Sequence, residues 1–239
     1  MRKDKVYWTY LTQSLLESFQ YLDEANCKFM SYNLHYQIAN NMAHSGENAE
    51  SIHSHLSNMI DPSHHVSAYS HWYEYGGEAP VISYLRNIAK HHFDMGNTVK
   101  HPEIDEVPMH KSMIHPAAID VMQRIHDIAK EVHREKLPET ITIYRGVGLP
   151  EKVTDYNPYV PHALESWTTD INTARDFSGM SHIKGAIPHV LKASVHRDDI
   201  LLSHHMRDRL PFIPAEHELE GKEEIVPLGH KIKNIERIE

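Results

Sequence analysis

The chain carries one cysteine, Cys27, among 239 residues, so no intrachain disulfide can hold it together. A chain of this length buries roughly 70% or more of its unfolded surface and needs no such staple. A lone thiol fits a reducing compartment, and the expected setting is cytoplasmic, in the producing cell or in a host cell after delivery. Long apolar runs are also missing. No stretch approaches the ~18 residues of a membrane span, so no membrane partner is expected. The first residues, Met1 to Tyr10, lack the apolar region and small-residue cleavage site of a signal peptide. Action outside the cell would require a delivery device that leaves no N-terminal signal.

Basic excess is absent too. Lys+Arg number 24 against 33 Asp+Glu, a formal charge of -9, and non-specific phosphate attraction needs the opposite balance. Nucleic acid is therefore not an expected partner. Histidine is abundant instead: there are 22, neutral in that charge count. An unperturbed imidazole titrates near pH ~6.5, so mild acidification swings the chain toward positive charge. The remaining composition, 40% hydrophobic and 24% charged, is that of an ordinary globular protein and excludes disordered and collagenous classes.

Apolar periodicity divides the chain. Leu11, Leu15, Leu16, Phe19 and Leu22, then Phe29, Leu34, Ile38 and Met42, recur every three to five residues and predict two amphipathic helices. Punctuation by Gly46, Pro62, Gly76 and Gly77 loosens the pattern, with room for a short helix around Ile52 to Ile60. Pro80 is expected to open a helix through Ala89, and another runs from Ala117 to about Arg134 with Ile119, Met122, Ile125, Ile128, Ala129 and Val132 on one face. After Leu137-Pro138 the character changes. Short β-branched runs at Ile141 to Tyr144, Ala186 to Val195, Ile200 to Leu202, Glu224 to Val226 and Lys231 to Ile238 predict strands. One helix interrupts them near Ile171 to Phe177, with Asp170 as its N-cap. Helices first and strands later predict an α+β fold.

Several motifs fail. Gly146-Val147-Gly148 follows a strand, but Glu151 stands where a dinucleotide fingerprint has its third glycine. Gly221-Lys222 lacks the upstream glycine and the Ser/Thr of a phosphate loop, and His217-Glu218 has Gly221 where a zinc protease has its second histidine. The pairs His53/His55, His64/His65, His91/His92 and His204/His205 lack accompanying cysteines or spaced carboxylates, so no metal is expected.

Three separated pieces make a pattern together. Thr140-Ile141-Thr142-Ile143-Tyr144-Arg145-Gly146 is a strand ending in arginine and glycine; Glu165-Ser166-Trp167-Thr168-Thr169-Asp170 precedes a short helix carrying Ala174 and Phe177. The third piece, Gly221-Lys222-Glu223-Glu224-Ile225-Val226-Pro227, puts a carboxylate at the head of a late strand. This order of Arg, Ser-x-Thr and Glu resembles the Arg-Ser-Glu class of ADP-ribosyltransferases, the cholera-toxin-like and clostridial-toxin-like group also found in tailed phages. The resemblance begins near Val81, where Tyr84-Leu85-Arg86 matches the family's Tyr-Leu-Arg helix end, and continues to the C-terminus, which implies a helical region over 1–80 followed by a core over 81–239.

The resemblance implies a core of two packed, mainly antiparallel sheets that binds NAD as substrate, with a target protein as acceptor and no metal. Cleaving the nicotinamide-ribose bond develops oxocarbenium character, which a carboxylate beside the ribose stabilises. Glu224 matches that residue, by hydrogen bonding the ribose 2′-hydroxyl. A forked guanidinium suits pyrophosphate better than a point charge, and this role falls to Arg145, with Arg86 assisting. Ser166 would hold the glutamate in place and Thr168 support it. Tyr84 and Gly146 match positions lining the NAD site, and Phe177 stands where the family often stacks an aromatic on nicotinamide, although a core aromatic on a helix reads equally well.

The pattern departs at two places. Lys222 occupies the first position of the family's Glu-x-Glu, and residues two apart on a strand share a face, so a cation would accompany Glu224. Three resolutions stay open: Glu220 or Glu223 reaches in past Gly221, the acceptor is not arginine, or water is the acceptor. The expected acceptor loop, Arg209 to Lys222, carries Phe212 and the acidic Glu216, Glu218 and Glu220, which favour a cationic acceptor, with arginine first choice. Trp167 replaces the family's usual threonine, either altering nicotinamide packing or filling core. The expected activity is mono-ADP-ribosylation of a protein; the alternatives are an NAD glycohydrolase and a non-catalytic binding module.

Overall fold

A computed structural model describes residues 79–95, 114, 116–156, 158–179, 185–210 and 225–239. The expected helices before residue 79 lie outside the described residues, and the proposed division at residue 80 rests on sequence alone.

Among the described residues the chain is mixed α and β, with three helices and two antiparallel sheets. Helix α1 spans Ala79–His92, starting one residue before Pro80, and α2 spans Pro116–Lys136. The buried stripe of α2 runs through Ala118, Val121, Met122, Ile125, Ile128, Ala129 and Val132, spaced by three and four; Ile119 lies at its margin, half-buried. Arg134 and Lys136 in the last turn complement the carbonyl end of the helix, and Pro138 prevents continuation.

Strand β1, Thr140–Leu149, pairs antiparallel with β2, Ile187–His196, through ten residue pairs without interruption. Helix α3, Ile171–Ser178, lies between them in sequence. Strand β5, Lys233–Arg237, joins the far edge of β2, with a register shift between Lys192 and Ser194. The second sheet pairs β3, Ile200–Ser203, with β4, Ile225–Pro227. Short 3-10 turns at Arg197–Asp199, His204–Met206 and Gly229–Lys231 connect these strands.

Side-chain alternation places Ile141, Ile143, Val147 and Leu149 of β1 on one face, opposite Val195, Ala193 and Leu191 of β2. That face packs with Ile200, Ile225, Ile232, Tyr159 and Trp167 into one apolar cluster between the sheets. The opposite face of β1 carries α3. A Cβ on Gly146 would come 1.9 Å from the Ala174 carbonyl oxygen and 2.4 Å from the Ser178 nitrogen, so helix and strand meet at this contact because the residue is glycine.

Helix α2 covers the other side of the second sheet and is pinned by two histidines seven residues apart on one face. His126 Nε2 lies 2.8 Å from the Asp198 carbonyl, and His133 Nε2 lies 2.7 Å from Ser203 Oγ. Arg134 adds a forked pair of contacts to the Asp198 carboxylate. Burial lowers the pKa of both imidazoles, that of His133 to about 4.

Two predictions follow from these contacts. Gly146→Ala forces either α3 or β1 to shift and is expected to destabilise the protein by about 3 kcal/mol, read as a lowered urea midpoint at unchanged m-value. His133 in the unfolded chain titrates near ~6.5, so between that pH and about 4 the unfolded state takes a proton that the folded state refuses. Its contribution is complete above pH ~6.5 and falls by roughly 3 kcal/mol as pH drops toward 4. Urea titrations between pH 7 and 4.5 should show this slope, reduced in His133→Gln.

Candidate functional site

The residues from 162 to 168 have little regular structure of their own, yet they join the two sheets. Leu164 bridges Leu228 and Trp167 bridges Ile225, both antiparallel and in one register, so the segment runs alongside β4 as a further short strand. One residue later, Thr168 bridges Tyr144 at the free edge of β1. Both outer bridges are complete two-bond pairs. Trp167 N donates to Ile225 O at 2.7 Å and Ile225 N to Trp167 O at 2.9 Å; Tyr144 N donates to Thr168 O at 2.7 Å and Thr168 N to Tyr144 O at 2.9 Å. Gly229 permits the close approach at the other end, where a Cβ would stand 1.8 Å from the His162 carbonyl oxygen.

Arg145 follows Tyr144 and, by alternation, lies on the inner face of β1 between Ile143 and Val147, opposite Leu191. An arginine on a strand's apolar face needs polar company. Its Nη1 donates to the Ser166 carbonyl, and its Nε lies 3.9 Å from Glu165 Oε2. The Arg145 side chain is 20% exposed, whereas Glu165 is buried completely. Both Glu165 oxygens are held: Oε1 accepts from Trp167 Nε1 at 3.0 Å, and Oε2 accepts from Tyr159 Oη at 2.8 Å and the His162 amide at 3.3 Å. Burial, reinforced by the nearby carboxylate, pushes the Tyr159 pKa well above the usual tyrosine value, keeping its hydroxyl a donor.

The segment then turns into α3. Thr168 is buried and its Oγ1 accepts from the Asp170 amide at 3.0 Å. Asp170 caps α3 as its sequence position predicts, its carboxylate accepting from the Asn172 and Thr173 amides at 3.1 Å each, and these bonds lower its pKa. Arg86, buried in α1, donates from Nε to the Leu164 carbonyl at 2.7 Å and so braces the segment from a second helix.

Of the residues singled out in the sequence, Ser166 and Thr168 lie on this segment, and Arg145 from β1 and Arg86 from α1 donate to its carbonyls. Gly146 serves helix packing on the opposite face of β1, and Phe177 is half-buried on α3, the helix that packs there. Tyr84 lies within α1. Trp167 fills core, being wholly buried. Glu224, Lys222, Glu223, Glu220 and Phe212 lie outside the described residues. Glu165 had no role assigned to it. Its signal was a carboxylate flanked by Ala163-Leu164 and Trp167, too short a context to announce burial. Among the described residues no group of three His, Cys, Asp or Glu is placed to hold a metal ion, and no helix is long and apolar enough to cross a membrane.

The arrangement places a forked cation, 20% exposed and tied through Nη1 to the Ser166 carbonyl, at the margin of the apolar cluster between the sheets. Such a group binds paired phosphate oxygens with defined geometry. Comparison with protein-family models, curated proteins and solved structures finds no match to this chain.

Proposed function

We propose that this protein is a mono-ADP-ribosyltransferase that cleaves NAD at the nicotinamide-ribose bond and transfers ADP-ribose to a protein acceptor. One observation carries the reading: the backbone pairs Tyr144–Thr168 and Trp167–Ile225 link three pieces that are far apart in sequence. Each pair sits one or two residues from a member of the expected triad: Arg145 follows Tyr144, Ser166 precedes Trp167, and Ile225 follows Glu224. A site assembled from Arg, Ser and Glu requires such a junction, and nothing in the local propensity of the three pieces demands it.

In this reading Arg145 holds the pyrophosphate, and Glu224 hydrogen-bonds the ribose 2′-hydroxyl as positive charge develops at the anomeric carbon. Ser166 lies on the segment whose backbone pairs with both Tyr144 and Ile225. Nicotinamide leaves with the bonding pair of the broken C–N bond, and an acceptor nucleophile on a protein, arginine by preference, attacks the anomeric carbon and loses a proton. Lys222 favours a second reading, in which water takes the place of the protein acceptor, because a lysine two residues from Glu224 is a poor general base for a guanidinium.

Labelled NAD incubated with the protein, with and without bacterial lysate, tests both. The expected result is label on a discrete protein, reduced at least ~100-fold in Glu224→Ala at unchanged thermal stability. Release of nicotinamide without transfer would select the hydrolase, and neither product from the folded protein would overturn both readings.

A further inference from the structure

Glu165 is the one fully buried carboxylate among the described residues, and the reaction proposed above gives it no task. Removing a carboxylate from water is costly unless donors replace the water it loses. Here the replacement comes from rigid parts of the core. Tyr159 and Trp167 are both buried in the apolar cluster, and they hold one oxygen each at 2.8 and 3.0 Å, with the His162 amide on the Tyr159 side at 3.3 Å. The carboxylate is therefore a fixed point, and Arg145 Nε lies 3.9 Å from it. The same guanidinium is tied through Nη1 to the Ser166 carbonyl. The Nη1 bond fixes one end of the planar group by direction, and the buried carboxylate 3.9 Å from Nε holds the other end by charge, not by a hydrogen bond.

We propose that Glu165 is a positioning residue: it orients the Arg145 guanidinium for the pyrophosphate of NAD, an inference that rests on the NAD-binding reading above. Charge alone argues the reverse, because a carboxylate beside the arginine partly cancels the attraction for an anion. The two effects thus have opposite signs and can be separated. Glu165→Gln keeps the volume and an acceptor oxygen but removes the charge. If position dominates, this variant binds the anionic ligand more weakly; if charge dominates, it binds more tightly.

The full chain provides two readouts. Affinity for ADP-ribose, measured by calorimetry, is expected to fall about 10-fold in Glu165→Gln, the cost usual for losing a supporting contact. In the Arg145→Lys background the same change should cost less than about 2-fold, since residues that act through one another are not additive. Independently of any ligand, the Arg145 Nε–H resonance, assigned by its absence in Arg145→Lys, should report a rigid side chain by its heteronuclear NOE in the parent protein and a mobile one in Glu165→Gln. Tighter or unchanged binding in Glu165→Gln, or equal losses in both backgrounds, would overturn the proposal. Unchanged rigidity of the Arg145 resonance in Glu165→Gln would also overturn it.

If the parent protein does not bind ADP-ribose while the resonance still depends on Glu165, the NAD reading fails and takes the pyrophosphate assignment with it, leaving Glu165 as the anchor of Arg145. Should Glu165→Gln fail to fold, Glu165→Asp keeps the charge and draws the carboxylate back by one methylene. It is expected to weaken ADP-ribose about 3-fold with Arg145 present and to have no such effect with Arg145→Lys; equal losses would overturn the proposal.

Discussion

Trp167 and Thr168 are neighbours whose backbone hydrogen bonds go to different sheets: Trp167 pairs with Ile225 and Thr168 with Tyr144. Buried backbone groups must be paired, so this one step of the chain fixes how the two sheets meet. The fully buried indole of Trp167 occupies the space between the sheets, and its nitrogen needs an acceptor there. Glu165 supplies it. The carboxylate in turn needs more donors than the indole offers, and Tyr159, the His162 amide and the nearby Arg145 meet that need. A chain of mutually required partners thus leads from a backbone junction to a fixed guanidinium.

Arg145 breaks the pattern of its own strand. Ile141, Ile143, Val147 and Leu149 share its face and belong to the core, and an aliphatic residue would fit there without assistance. Violations of a local rule that are supported by surrounding polar contacts are where function is sought. The support here is extensive. It involves Ser166 and Glu165 directly, and it involves Arg86 through the Leu164 carbonyl, so α1 contributes to holding the same segment. On the other side of β1, Gly146 lets α3 approach so closely that strand and helix backbones touch, and the Asp170 cap fixes where that helix begins.

Elements governed by local chemistry were legible in the sequence. The stripe of α2, the Asp170 cap and the β-branched run of β2 each depend on residues a few positions apart, and the structure places them within a few residues of expectation; β1 instead continues five residues past Tyr144, through Gly146-Val147-Gly148, because its ten-pair ladder with β2 carries it on to Leu149. The antiparallel pairing of the strands also agrees with the expected class. What escaped was set by contacts across long separations. Gly146 reads as a turn or ligand glycine until α3 is seen against it, and Trp167 reads equally as a site residue or a core residue until its burial is known. Glu165 is ambiguous for a different reason, since its partners lie two, three, six and twenty residues away, spacings that together belong to no one helix or strand period. The 3-10 turns at Arg197–Asp199 and His204–Met206 carry no periodic signal at such short length.

A crystal structure of the full chain with a carba analogue of NAD, whose nicotinamide-ribose bond resists cleavage, tests the central claim most directly. The pyrophosphate is predicted within hydrogen-bond distance of the Arg145 guanidinium, with the nicotinamide ribose turned toward Ser166 and Glu224. An analogue bound away from Arg145, or no binding at saturating concentration, would contradict it.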